Sequence, residues 1–383
     1  MLTLRDKKNC CGCQACYEAC PSKCISMASD EEGFLYPRIN QADCVDCGLC
    51  ERVCPQLNSE KREHPETPRS CYAAISKDLE IRLLSSSGGV FSLLADKILG
   101  QNGVVFGARF DEQFAVYHSY TESPEGLPPF RGSKYAQSDL RGVYSQVRQF
   151  LQANRPVLFS GTPCQIAGLR GFLGGKEYNQ LFLVSVICHG APSPLVWRDY
   201  LDHITGGPRP TGVNMRNKDN GWGPGDYRMV IQRGEEELMN TQATGTPYMR
   251  AFLTNLTLRP SCYSCHFRGN HGSDLTLGDY WGIEKIHPRM ADNKGTSLIL
   301  VYTDKGQRLM EGIDMRLEKS LYEDALRGNM AIIQPAYKPA ERTMFWKSFQ
   351  KRGAKALTDY TANSRRARAR RLWAKLLRRL RIG

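Results

Sequence analysis

The chain has 383 residues, 41% hydrophobic and 24% charged, which excludes the disordered, collagenous and membrane-spanning classes and fits a small module followed by a larger body. Its 15 cysteines form an odd set and no N-terminal apolar segment leads to a cleavage site, so a secreted disulfide framework is excluded and reduced thiols in the cytoplasm are expected. The formal net charge of +13 is concentrated between residues 365 and 381, which hold many Arg and Lys and no acid, and no run of about 18 apolar residues suits a membrane span.

In chain order, residues 10–55 form two cysteine-rich half-repeats separated by Ser29 to Asp43. A polar connector follows, and the spacing predicts a domain boundary near residue 65. Cys71 to Ile75 reads as a strand, Val90 to Leu99 as a helix and Val104 to Phe110 as a second strand, together a βαβ-like unit. Pro156 to Phe159, Leu181 to Ile187 and Leu298 to Thr303 are further buried strands, so this body is α/β. From Thr343 onward the pattern is helical and increasingly basic. The expected organisation is an α+β ferredoxin-like two-cluster module at 1–57, a linker at 58–69, a larger α/β body at 70–342, and a helical C-terminal region at 343–383.

Cys10-x-x-Cys13-x-x-Cys16-x-x-x-Cys20-Pro21 and Cys44-x-x-Cys47-x-x-Cys50-x-x-x-Cys54-Pro55 have the spacing of bacterial two-cluster ferredoxins. Three closely spaced thiolates wrap one cubane, and the proline turns the fourth cysteine toward the other. The expected sets are Cys10, Cys13, Cys16 and Cys54 on one [4Fe-4S] cluster, with Cys44, Cys47, Cys50 and Cys20 on the second. Zinc is the competing reading, but zinc sites seldom repeat three cysteines at this spacing with Cys-Pro after each. Cys11 and Cys24 lie outside the pattern and read as bystanders.

The second body adds Cys164, Cys188 and the pair Cys262-x-x-Cys265. Taken alone, these thiols fit an all-thiolate zinc site, a cubane, or a redox dithiol beside two unrelated cysteines. Ser85, Ser86, Ser87, Gly88 and Gly89 run directly into the Val90 helix, and serve equally as a plain helix start or as a cradle for a diphosphate. Asn214 to Asp226, with Trp222 inside it, reads as a polar loop that either covers a substrate or is an inert connection; Asp274 and Asp279 flank Leu275 to Gly278.

Several strings together resemble the beta-subunit family of coenzyme F(420) hydrogenases and dehydrogenases: Ser85 to Leu94, Arg131 to Tyr135, Gly161 to Gln165 with Gly168 to Arg170, Cys188 to Gly190, Arg259 to Cys265, and Ser273 to Gly282. The resemblance covers nearly the whole chain. It implies that Cys164, Cys188, Cys262 and Cys265 hold a third [4Fe-4S] cluster beside bound FAD, leaving Cys71 as a small core residue. It further implies that Ser85 to Gly89, with Ser133, Lys134 and Tyr135, contact the FAD. Where other members show an acidic residue before the paired glycines, this chain has Ser87. His189, next to Cys188, is either a structural histidine or a proton donor to substrate or flavin.

The function implied is an iron-sulfur flavoprotein oxidoreductase that passes electrons between a ferredoxin-like or deazaflavin donor and an organic substrate. With His189 and Trp222 the chain looks most like the branch associated with bacterial polysaccharide synthesis, which points to a small-molecule or glycan-type substrate. The alternative is an electron-transfer subunit without a substrate of its own, and a weaker one a ferredoxin joined to a zinc-stabilised binding domain. In the basic tail, Leu372, Trp373, Leu376, Leu377 and Leu380 recur at helical spacing, which favours peripheral contact with the inner membrane face or a partner over nucleic acid, the alternative being a disordered or core-packed end.

Overall fold

The structure, a computed structural model, describes residues 6–58, 67–269 and 272–358. The basic tail therefore lies outside the described residues, as does most of the polar connector.

In the N-terminal module, two short helices, α1 (Ala15–Ala19) and α2 (Leu49–Arg52), each follow a cysteine loop, and the hairpin of β1 (Ile25–Ser29) and β2 (Leu35–Ile39) joins the two halves. The duplication extends to the backbone. Gly12 and Asp46 stand at equivalent places, as do Gln14 and Gly48, and all four have positive φ. These left-handed residues curl each loop so that successive cysteines face inward.

The body begins with β3 (Ser70–Ser76), α3 (Leu79–Leu84), α4 (Val90–Leu99), β4 (Val104–Phe110) and β5 (Val116–Thr121). It continues with α5 (Val143–Gln152), β6 (Val157–Gly161), α6 (Pro163–Phe172), β7 (Leu181–Val186) and α7 (Pro194–Thr205). Next come β8 (Gly212–Asn217), β9 (Arg228–Arg233), β10 (Glu236–Gln242), α8 (Pro247–Leu253), β11 (Leu275–Asp279) and α9 (Ile283–Ile286). The final elements are β12 (Ser297–Val301), α10 (Asp304–Met310), β13 (Met315–Ser320), α11 (Tyr322–Gly328) and α12 (Arg342–Arg352).

Eight strands form one sheet in the order β13-β3-β12-β11-β7-β6-β4-β5, in which β4, β6, β7 and β11 run parallel. Their near-continuous apolar sequences are those of strands covered on both faces. Phe106 and Phe159 pack with Val143, Val147, Ile166 and Leu169 on one side; Val105, Leu158 and Val184 pack with Leu94, Ile98 and Leu309 on the other. The strands expected to close a βαβ unit, β3 and β4, do share this sheet, but β12, β11, β7 and β6 lie between them. Periodicity identifies strands; it does not identify their neighbours.

A separate antiparallel sheet, β10-β9-β8, packs with α7, α8 and α12 around Trp197, Tyr248 and Phe345. The polar-loop reading of Asn214 to Asp226 holds for 218–226 and is corrected at its start and at Trp222. Asn214 to Asn217 belong to β8, and Trp222 is 6% exposed, stacked on Trp281 at 4.6 Å. Its indole Nε1–H donates to Asp279 Oδ1 at 3.0 Å, so this side chain is a structural anchor and not part of a mobile cover.

The ferredoxin module is fastened to the body by polar contacts with few degrees of freedom. Gln14 donates to Asp139 at 2.8 Å, and the Glu18 carboxylate accepts from the Tyr144 and Ser145 N–H groups at the start of α5. Glu32, in the β1-β2 turn, pairs through both oxygens with Arg342 of α12. Among the described residues no helix is long and apolar enough to cross a membrane.

Candidate functional site

In the first ferredoxin array the structure brings the Cys54 segment to the first half-repeat, and Cys50 also lies near Cys16. Cys16 faces Cys10 and Cys54, and Cys13 faces Cys54 and Cys16. Burial, followed by the charges of Cys10 and Cys54, pushes the Cys16 thiol up to about 12. Such sulfurs become thiolates only against a positively charged centre, which is the condition an iron-sulfur core meets. In the second array Cys20, Cys44, Cys47 and Cys50 line one small pocket with Pro21 and Gly48, and Cys47 is exposed. The Cys24 sulfur lies 3.4 Å from that of Cys20, so Cys24 packs against the array.

The four cysteines of the body also converge. Cys164 sits in the first turn of α6, just beyond β6, and Cys188 lies two residues past β7. Both are at the carboxyl ends of adjacent parallel strands, where open α/β sheets place their ligands. The short 3-10 turn Pro260–Ser264 brings in Cys262 and Cys265. Cys262 faces Cys188, Cys265 and Cys164; Cys188 in turn faces Cys164 and Cys265. Burial pushes Cys188 up to about 12 and Cys262 higher still. Around this array, Ala191 N–H donates to Cys262 Sγ at 3.3 Å, and Arg268 donates to the carbonyls of Cys188 and His189. Among the described residues, no group of three or more His, Cys, Asp or Glu side chains is placed to hold a single metal ion; a cubane instead takes one thiolate on each of its four irons.

Sequence reading misses the residues that fasten the arrays. Arg259 donates Nε–H to Cys10 O at 2.7 Å, and Gln137 donates to Cys11 O at 3.0 Å. The Cys11 thiol, a bystander by its spacing, lies against the sulfurs of both Cys13 and Cys164. His118 is buried below the Cys164 loop: Nε2–H donates to Ser160 O at 3.0 Å, while Nδ1 accepts from Ser138, whose hydroxyl in turn accepts from Gln165. Burial pushes its pKa down to about 4, so the ring is neutral. The capping box of Thr162 and Gln165 completes the support of Cys164. The only sequence signals for these positions are polar residues flanking cysteine motifs.

Two segments linked to FAD by resemblance come together, since Ser86 Oγ and Ser133 Oγ are 2.8 Å apart. The rest of the serine-glycine run is largely committed to the fold. Ser85 donates to Ile81 O, Ser87 donates to Thr296 O, and Gly88 N–H donates to Ser297 Oγ. A Cβ at Gly88 would stand 2.3 Å from Ala74 O, and Gly89 at φ +92 begins α4. Close approach to β3 and a left-handed helix start thus account for the glycine pair. Lys134 Nζ reaches only the carbonyls of Arg131 and Gly132 among the described residues; burial and neighbouring Arg109 push its pKa down to about 7. Tyr135 accepts from Arg216 at 3.1 Å and packs on Phe252, whose ring also meets that of His189 at 5.0 Å. His189 Nε2–H donates to Asn255 Oδ1 at 2.7 Å, an orientation fixed because Asn255 Nδ2–H donates to Tyr337 O. Burial lowers its pKa.

Residues 154–323 match the family described as the C terminus of the coenzyme F(420) hydrogenase/dehydrogenase beta subunit, and residues 9–58 match a 4Fe-4S dicluster domain. A ferredoxin of Mycolicibacterium smegmatis is 36% identical over 75 residues, which is 20% of this chain and 66% of that protein. The ketoisovalerate oxidoreductase subunit VorC of Methanothermobacter marburgensis is 32% identical over 56 residues, 14% of this chain and 71% of VorC. A chain of the F(420)-reducing [NiFe] hydrogenase complex from Methanosarcina barkeri aligns at a TM-score of 0.46 and 15% identity, over 78% of this chain and 93% of that one. The chain belongs to the coenzyme F(420) hydrogenase/dehydrogenase beta-subunit family of oxidoreductase-type iron-sulfur proteins, with a dicluster ferredoxin domain preceding the family's C-terminal body.

Proposed function

We propose that this chain is an iron-sulfur flavoprotein oxidoreductase with three [4Fe-4S] clusters and FAD. The observation that carries this reading is the convergence of Cys164, Cys188, Cys262 and Cys265 beside Cys11 and Cys13 of the ferredoxin module. In the ferredoxin module, Cys10, Cys13, Cys16 and Cys54 hold one cluster, and Cys20, Cys44, Cys47 and Cys50 hold the other. FAD, when bound, exchanges single electrons with clusters and electron pairs with organic substrates. The first-turn N–H groups of α4, the Ser86 and Ser133 hydroxyls and the Lys134 ammonium would hold its diphosphate. Unlike most buried cations, Lys134 faces carbonyls and another cation, so an anion stabilises it. Tyr135 (next to Lys134), Phe252 and His189 (next to Cys188) form an aromatic row, and we assign His189 the exchange of a proton with the substrate.

A ferredoxin-like or deazaflavin donor supplies the electrons. The glycan or lipid-linked substrate rests on the resemblance, as does a cytoplasmic location with the basic tail at the membrane face. The test is anaerobic purification with iron, sulfide, zinc and flavin counted per chain. About twelve irons, from four per cubane, and one FAD are expected; zinc without flavin would sink the reading. His189→Asn should then lose turnover while retaining iron and flavin.

The exposed position of Cys47 favours the electron-transfer subunit instead, since a site serving a partner enzyme must be reachable, and VorC carries the name of a subunit. A tightly held partner together with absent turnover of any small molecule would establish it.

A further inference from the structure

The first ferredoxin array and the body array meet at Arg259. This side chain is 1% exposed and, among the described residues, pairs with no carboxylate. Its guanidinium donates to Cys10 O, to Leu35 O at 2.9 Å and to Gln137 Oε1 at 3.0 Å, approaches Cys10 Sγ at 3.5 Å, and lies over the Tyr36 ring at 4.2 Å. Its backbone opens the turn carrying Cys262: Arg259 N–H donates to Ala191 O, and Cys262 N–H donates to Arg259 O. One residue therefore touches a thiol of the ferredoxin module and frames a thiol of the body. Burying a guanidinium without a carboxylate is costly unless other negative charge faces it. Besides Tyr36, the groups facing it that can carry negative charge are the thiols of Cys10, Cys11, Cys262 and Cys164.

Cys11 occupies the remaining gap between the two arrays, against Cys13 on one side and Cys164 on the other. The contact is tight, because a Cβ on Gly168 of α6 would come within 2.7 Å of Cys13 Cβ. Among the described residues, the pocket of the second array is lined entirely by residues from Cys20 to Cys50.

We infer that Arg259 is a positioning residue that raises the reduction potential of the cubane of Cys10, Cys13, Cys16 and Cys54, and that this cubane exchanges electrons with the body array across Cys11, while the cubane of Cys20, Cys44, Cys47 and Cys50 receives them from the donor. The route rests on the third cluster proposed above. One electron passes per step: the ferredoxin cubane is oxidised by one, the body cluster is reduced by one, and Cys11 keeps its proton and its bonds. A fixed positive charge and N–H contacts to sulfur favour the reduced, more negative cubane, so they raise its potential.

The experiment is a redox titration of the anaerobic full-length protein, followed by electron paramagnetic resonance, with iron and flavin counted in each sample. Cys47→Ser assigns the signals, since it alters the second array. Arg259→Met should lower the reduced fraction of the first cubane about tenfold at fixed potential, a midpoint about 59 mV lower for a one-electron centre. Arg259→Lys, which keeps the charge but loses the fork, should shift it less and remains informative if the Met variant fails to assemble. The second cubane should not move. Unchanged midpoints at full iron content, or equal displacement of both cubanes, overturn the assignment. A parent protein with about eight irons removes the third cluster and the route with it, yet the first cubane's midpoint still decides the role of Arg259.

Discussion

Cys13 in the first half-repeat is 7% exposed and packs against α6 of the body, whereas Cys47, at the same place in the second, is exposed and stands near Val45 with 67% of its surface open. Gln14 reaches Asp139 across the domain boundary; its counterpart Gly48 has no side chain with which to reach anything. Two loops of equal spacing and like backbone therefore have unlike tasks. Spacing sets which thiols can share a cluster, and the residues between the cysteines set what that cluster can touch.

The comparison breaks most completely if the module is undocked. Glu32 and Arg342 have side chains 12% and 9% exposed, and Arg342 also donates to Leu258 O and Tyr263. Burial raises the Glu32 pKa even with Arg342 opposing it, so the carboxylate depends on that partner. Arg342→Ala should cost about 3–5 kcal/mol, the effect of stranding one member of a buried pair. Anaerobic denaturant unfolding measures the loss. Iron of the first array should be released before that of the second, which needs nothing from α12.

Acid should weaken the support beneath the Cys164 loop without touching the second array. His118 has its pKa lowered from 6.5 to about 4, so the unfolded chain binds the proton more tightly. Its contribution is whole above about pH 6.5 and is lost as pH falls toward 4, in total about 3 kcal/mol at about 1.4 kcal/mol per pH unit. Unfolding curves of the parent and of His118→Asn at several pH values check this; the variant should lack that part of the slope.

A smaller lesion at the junction sharpens the contrast. In Gly168→Ala the new Cβ would meet Cys13 Cβ at 2.7 Å and the Tyr144 hydroxyl at 2.8 Å, both in a packed core. Overpacking of this kind costs about 1–3 kcal/mol. Iron content should fall by the first cubane alone, and an unaltered iron count would show that Cys13 has room to move.

What can be read from the sequence follows the same division. Each ferredoxin array is written in a short stretch plus one distant Cys-Pro, so local spacing names its members. The body array joins loops after β6, β7 and α8, and only the strand order makes them neighbours. No periodicity reports that β3 and β4 are separated by four strands, nor that Trp222 stacks on Trp281. Arg259 is visible as part of a family-like string. Its task is not, because its partners Cys10 and Leu35 lie more than two hundred residues away. Cys11 reads as a bystander for the same reason, since its second neighbour is Cys164.

The mildest perturbation addresses the exposed side of the comparison. Val45 packs against little and borders the pocket of the second array, so Val45→Asp should leave stability within about 0.5 kcal/mol, as substitutions away from buried features do. Its effect should appear in kinetics. If electrons enter at the second cubane, a charge placed beside Cys47 changes the rate at which a soluble ferredoxin-type donor reduces the protein, and that change shrinks as salt screens it. Stopped-flow reduction at low and high ionic strength measures both. A rate unaffected at either salt concentration, with the cubane intact, would place the donor elsewhere and leave the exposure of Cys47 and Val45 without a task in electron entry.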